Sequence, residues 1–401
     1  MKKIRILMLL MAVLTVVACF VACGNVETTA EITTTETPVT TLPPLTAFES
    51  LKIAGNDLSE STIVYAESPY AKQAAERPNF FPVYDFDKES AERLSDLIYS
   101  VTGKRLPIAL DTNTEVTDKE ILVGETNRPD TKSVSLNKVK VDEFILRENN
   151  GKLIVCGGIY GTTWHSIDYL ETLFNDQLTK RNATFDFAAE YEYKGKHKMI
   201  RIGCIGDSIT QGVGVDDASI CAYPAQLSRL LWKDALVTNF GLSGKTMRDD
   251  LADSYMSTTT YTRALTSASS IDIFTVMLGT NDSNRDRNWT NTSTQKYKNS
   301  CKTLFESLIS KNKNLRFVIA NCPAYFGTDA FGSLQVRRLQ EQLVDEMNAL
   351  GYKTSFFNMY EVTKPLEAYY PDKLHPNGEG HIFMANAFAE SLQKLIDEQY
   401  K

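Results

Sequence analysis

Histidine is scarce in this sequence, with four residues in 401. Chemistry that needs an imidazole near neutral pH must draw on His165, His197, His375 or His381. Cysteine offers no scaffold. Seven are present; apart from Cys19 and Cys23 they are Cys156, Cys204, Cys221, Cys301 and Cys322. That is an odd number without CxxC spacing, mostly in apolar runs, which excludes a disulfide framework and predicts small buried hydrophobes. Excess positive charge is missing too. Removing Lys2, Lys3 and Arg5 with a leader leaves 40 basic residues against 50 acidic, a net of −10. This argues against nucleic acid as a partner and against an anionic polymer held by charge alone. The longest apolar run, Ile6 to Ala18 broken by Thr15, is too short and wrongly flanked for a permanent spanning helix.

What is present begins with a secretory pattern. The basic start and the apolar run end in "VVACFVACGN", which resembles the lipobox of bacterial lipoproteins. The resemblance implies cleavage and lipidation at Cys23, with Cys19 the other cysteine that qualifies. Residues 1–22 are then the leader and 23–47 a Thr- and Pro-rich tether, too poor in large apolar residues to build a core. The expected location is the extracellular side of a membrane, reached through an N-terminal lipid anchor.

Residues 48–192 form one unit of short strands and two helices, read as a small α+β domain. "DKESAERLSDLIYSVTGK" places Ala91, Leu94, Leu97, Ile98 and Val101 at helical spacing, with Gly103 as its stop. "GTTWHSIDYLETLF" does the same with Trp164, Ile167, Leu170 and Phe174, and His165 is read as a packing residue. "EILVGETNRP" and a Gly-Gly turn before an aromatic helix resemble the N-terminal domain that precedes α-glucuronidases and β-hexosaminidases. "FDFAAEYEYKGKHK" bridges to the second unit, and its Lys-Gly-Lys-His-Lys end is read as a solvated junction, with His197 exposed and idle.

From 193 to 401 strands alternate with helices. The strands are near-continuous apolar runs: 199–205, 236–240, 271–278, 315–320 and 354–358. Apolar on both faces, they predict a parallel sheet inside a three-layer, doubly wound α/β domain, the flavodoxin-like architecture. Ligands bind such sheets at the C-terminal ends of the strands. The polar clusters fall there: "GCIGDSITQG", "NFGLSGKTM", "LGTND" and the loop "PDKLHPNGEGH".

Ser208 admits two readings. With Gln211 three residues on it fits a capping box. Yet Gly212 and Gly214 follow at once, so there is little helix to cap. The other reading is a nucleophile, which needs a base, a carboxylate to orient that base, and donors for an oxyanion. Asp372 and His375, three apart in a Pro- and Gly-rich loop, supply the first two. His381 reads as structural or as a rim residue, Asp282 as holding its own loop, and Asp207 as holding the turn or tuning the site. The G-x-S-x-G elbow of α/β-hydrolases is not met, because position 210 is threonine.

These four blocks, in order across roughly 200 residues, resemble the SGNH or GDSL hydrolase family. The resemblance implies Ser208 as nucleophile, His375 as base and Asp372 as its orienter. It also implies an oxyanion hole from the Ser208 N–H, the Gly241 N–H and the Asn281 side chain. The long "GLSGKTMRDD" and "NDSNRDRNW" loops resemble the carbohydrate acetylesterase branch, with Asp207, Trp289 and Tyr255 as candidate substrate contacts. The expected partner is an acylated carbohydrate, with no metal and no cofactor. The alternatives are a lysophospholipase or thioesterase with the same triad, and a surface protein that binds carbohydrate without catalysis.

Overall fold

The structure is a computed structural model, and it describes residues 43–76, 85–134, 138–328 and 333–401. The leader, Cys19, Cys23 and most of the tether lie outside them. Residues 44–401 form one compact unit built on two main sheets.

The second sheet carries the four motif blocks. Its strands lie in the order Ala235–Gly241, Ile200–Gly206, Ile273–Met277, Arg316–Ala320, Lys353–Phe357, all parallel. Numbered along the chain this is 2-1-3-4-5, the flavodoxin-like order, in the parallel sheet the apolar runs predicted. Alternation along each strand feeds two cores. Ile202 and Cys204 pack with the helices Tyr223–Leu230 and Gly378–Gln399 on one face. Ile205, Phe274 and Val276 pack with the helices Asn291–Ile309 and Ser333–Ala349 on the other. Gly206 pairs with both Gly241 and Met277, so three loops leave the sheet at one level. Ser208, Leu242 and Gly279 stand on that edge.

The first sheet is mixed. Ile108–Leu110, Thr62–Tyr65, Glu120–Val123 and Lys152–Gly157 are parallel, and Glu143–Asn149 and Glu192–Lys196 complete it antiparallel. The helices Phe86–Thr102 and Tyr160–Thr179 pack against it, and the first ends at Gly103 with φ 72°, in the left-handed region.

The bridging stretch is ordered structure, and the lysines at its end, Lys194, Lys196 and Lys198, are exposed as expected. Thr184–Phe187 joins Ser50–Ile53 in a small parallel pair, and Glu192–Lys196 is an edge strand. The edge strand therefore crosses the expected boundary at 192. His197 is half-buried, not idle: its ring stacks on His165 with centroids 3.5 Å apart. His165 holds Asp168 through Nδ1 and the Lys233 carbonyl through Nε2, the packing role expected of it. Asp142, in the turn before the strand Glu143–Asn149, accepts from Arg201 of the second sheet at 2.5 Å, and Phe86 packs on Trp232. The five cysteines from Cys156 onward are buried thiols.

Candidate active site

The turn after the strand Ile200–Gly206 shows which residue caps the short helix that follows. The cap is Asp207, whose carboxylate accepts from the Ile209 N–H at 3.1 Å. Ser208 opens a single helical turn, Ser208–Gln211, closed by Gly212 at φ 101°. Relieved of capping, the Ser208 hydroxyl lies 2.9 Å from His375 Nε2.

The loop 370–377 explains why a spacing of three suffices. Asp372 Oδ1 accepts from the Leu374 and His375 N–H groups, which folds the chain back. Its other oxygen then meets His375 Nδ1 at 2.6 Å. One carboxylate thus builds the turn and orients the ring. Partial burial works to raise the Asp372 pKa, but the bonds from the His375 N–H, the His375 ring and the Leu374 N–H outweigh it, and the group sits below its ordinary 3.8. As an anion Asp372 can only accept, so Nδ1 carries the proton and Nε2 is free to take one from Ser208. Gly214, at φ 98°, passes close by: a Cβ there would stand 2.8 Å from the Pro376 carbonyl and 3.1 Å from His375 Cβ.

The oxyanion donors differ from expectation. Among the described residues the Ser208 N–H has no acceptor, as a donor for an oxyanion should. The Gly241 N–H, however, donates to Asn239 Oδ1 at 2.8 Å. The Asn281 amide donates to the Lys245 carbonyl at 3.1 Å and more weakly to Asp207 at 3.4 Å. Both must turn from these partners to meet an oxyanion; catalytic bonds commonly tighten only with substrate in place. Asn239, unremarked in the sequence, is the brace here: its Nδ2 also holds the Thr210 carbonyl. The signal for it was the Asn two residues before the glycine in "NFG".

Of the candidate substrate contacts, Tyr255 and Asp207 are buried and Trp289 is half-buried. Tyr255 is fully buried and its hydroxyl donates to the Phe240 carbonyl. Trp289 is half-buried against the core, with Nε1 donating to Thr294 and its ring near Tyr297. Asp207 is 1% exposed, beneath the site, so it tunes and caps but touches nothing outside. Asp282 serves a neighbouring loop, not its own: its carboxylate accepts from the Met247 and Arg248 N–H groups. Arg248 in turn pairs with Asp250 and Asp286, tying down the loop after the second strand. His381 is buried and structural, with Nδ1 accepting from the Tyr223 N–H and its ring pushed by burial down to about 3. Among the described residues no group of three or more histidines, cysteines or carboxylates is placed to hold a metal ion.

Two buried carboxylates give a pH signature. Burial pushes Asp207 up to about 6 against the Ile209 N–H bond, and Asp282 up to about 6 against the Arg248 and Met247 N–H bonds. A raised carboxyl pKa means the folded state holds its proton where the unfolded chain, near 3.8, has lost it. Stability from these groups is therefore full below about pH 4 and declines as pH rises through about 6. Thermal melts from pH 4 to 7 should show that decline, and Asp207→Asn should flatten part of it while Asp282 keeps the rest. An unchanged slope in Asp207→Asn would show that Asp207 is ionised throughout.

Residues 204–382 match the model of the GDSL-like lipase/acylhydrolase family. The sheet just described is the SGNH-hydrolase fold. The chain is similar to an acetylxylan esterase of Xylanibacter ruminicola, 42% identical over 94 residues. That match spans 23% of this chain and only 19% of the relative's length. Among solved structures, an acetylxylan esterase from Geobacillus stearothermophilus is 19% identical, covering 48% of this chain and 94% of that one with a TM-score of 0.37. A carbohydrate acetylesterase from Sinorhizobium meliloti is 17% identical, covering 49% and 99%, also with a TM-score of 0.37.

Proposed function

We propose that the protein is a serine carboxylic-ester hydrolase that removes acetyl groups from a carbohydrate. The observation that carries this is the unbroken chain from Ser208 Oγ to His375 Nε2 at 2.9 Å and from His375 Nδ1 to Asp372 at 2.6 Å. The acylhydrolase match over the same residues supports it, and the name of the Xylanibacter ruminicola relative supports the acetylated-glycan substrate.

In this reading His375 takes the Ser208 proton as Oγ attacks the ester carbonyl. The tetrahedral oxyanion is met first by the Ser208 N–H, then by Gly241 and Asn281 as they leave Asn239, Lys245 and Asp207. Collapse passes the proton from His375 to the departing sugar hydroxyl and leaves an acetyl-enzyme. Water, deprotonated by the same imidazole, then releases acetate. Asp372 stays ionised throughout and stabilises the imidazolium.

The leader, Cys23 and the tether support placement at the outer face of a membrane, with the lipid anchor on Cys23. Acetate release from acetylated xylan, set beside hydrolysis of a long-chain acyl ester, tests the substrate. Acetate release with little long-chain hydrolysis is expected. A preference for the long chain would make the protein a lysophospholipase or thioesterase, and binding without release would make it a carbohydrate-binding protein.

A further inference from the structure

Beside Ser208 the structure holds a groove that runs away from the ester site. Its volume is about 520 Å³, and it begins at Gln211 and Gly241, next to the nucleophile's turn. It follows the edge strand Ala235–Gly241 past Asn239 and Val237, between the helices Tyr223–Leu230 and Thr259–Ser267. Tyr70, from the first lobe, also lines it.

The charge of this groove runs against the rest of the molecule. Acidic residues outnumber basic ones 50 to 43 in the chain, yet among the described residues the lining carries Arg229 and Arg263 and no carboxylate. Each guanidinium is oriented by a backbone carbonyl, Arg229 by Ile220 and Arg263 by Asn239. Arg263 thereby commits one of its five N–H donors and, among the described residues, has no carboxylate partner. Arg229 lies 5.4 Å from the centre of the Tyr70 ring, which sets a flat aromatic face beside a planar cation. An aromatic face suits a sugar ring, and a guanidinium suits a carboxylate, which it can take in a bidentate pair.

We propose that this groove binds the uronic-acid-bearing part of an acidic acetylated polysaccharide, with Arg263 as the carboxylate contact and Tyr70 as the sugar platform. Its place in a reaction rests on the esterase reading of Ser208; its binding does not. The net negative charge of the chain is no obstacle, because the attraction is local and joined to stacking.

The test uses the full chain in two arms. In the first, acetate release is followed on acetylated glucuronoxylan, on acetylated glucomannan and on p-nitrophenyl acetate, with wild type, Arg263→Gln and Tyr70→Ala. Arg263 is exposed on the helix Thr259–Ser267, so the substitution leaves the fold intact. Arg263→Gln should raise KM about fivefold on the glucuronoxylan alone, kcat unchanged, and added salt should erode the wild-type preference. Tyr70→Ala should raise KM on both polymers and spare the small ester. In the second arm, Ser208→Ala is tested for binding to glucuronoxylan against glucomannan. Equal KM for both polymers in wild type, or an Arg263→Gln effect shared by all three substrates, would overturn the groove assignment and leave the esterase standing. Selective binding by a protein that hydrolyses none of the esters would overturn the esterase reading and leave the groove.

Discussion

Ser208→Ala should lower turnover on every ester by about 10⁴-fold or more and leave the melting temperature almost unchanged. Among the described residues the hydroxyl has one protein partner, His375, and the turn is capped by Asp207, so the serine oxygen holds no other described group. In the proposed mechanism its removal takes away the atom that bonds to the acyl carbon. The oxyanion donors and the groove remain, so a small residual acceleration over water should persist. The triad acts as a unit, and His375→Ala added to Ser208→Ala should cost little beyond the single change. Labelling with a fluorophosphonate, read by intact mass on the full chain, isolates the same atom. Wild type should gain one adduct and Ser208→Ala none. A folded wild-type protein that takes no adduct, or an adduct that survives in the variant, would remove Ser208 from the mechanism.

Much of this site was legible because its logic is local. A strand that ends in Gly-Asp-Ser, a glycine after the next strand and a carboxylate three residues before a histidine each describe chemistry within one turn of chain. The parallel sheet then brings those ends to one edge. What escaped the sequence depends on partners far along the chain. Tyr255 looked available because it lies in a polar loop, but its hydroxyl answers to the Phe240 carbonyl on the neighbouring strand end. Asp282 looked like a loop residue, but its two acceptor bonds reach back about 35 positions to Met247 and Arg248. The strand in the stretch 191–196 escaped for a different reason. Its lysines and glutamate suggested solvent, yet Tyr193 and Gly195 alternate with them at the strand period of two, and that alternation was visible. Charge on the outer face of an edge strand is what such a strand needs, and it masked the inner face.

Gly241 carries the second large effect, and its reason is steric as well as catalytic. The family resemblance asks for glycine here as a source of an N–H. The structure shows that the side of this residue away from solvent has no room for any carbon. A Cβ at 241 would stand 2.3 Å from the Gln211 nitrogen and 2.6 Å from the Thr210 carbonyl carbon. Both are backbone atoms of the turn that Ser208 opens, so neither can give way without moving the nucleophile. Thr210 is itself held by the Asn239 amide at its carbonyl and by Tyr223 at its hydroxyl. Gly241→Ala should therefore cost about 1–3 kcal/mol by overpacking, seen as a melting temperature several degrees lower. It should also cut turnover by about 10²–10³, because a displacement near 1 Å spoils attack and the second oxyanion donor moves with it. Fluorophosphonate labelling should slow in proportion, since that reaction needs the same serine in the same place. A variant with wild-type stability and wild-type labelling would mean that the two strand-end loops are not packed as described. A variant with wild-type labelling but poor turnover would keep the packing movable and place the whole loss on the donor.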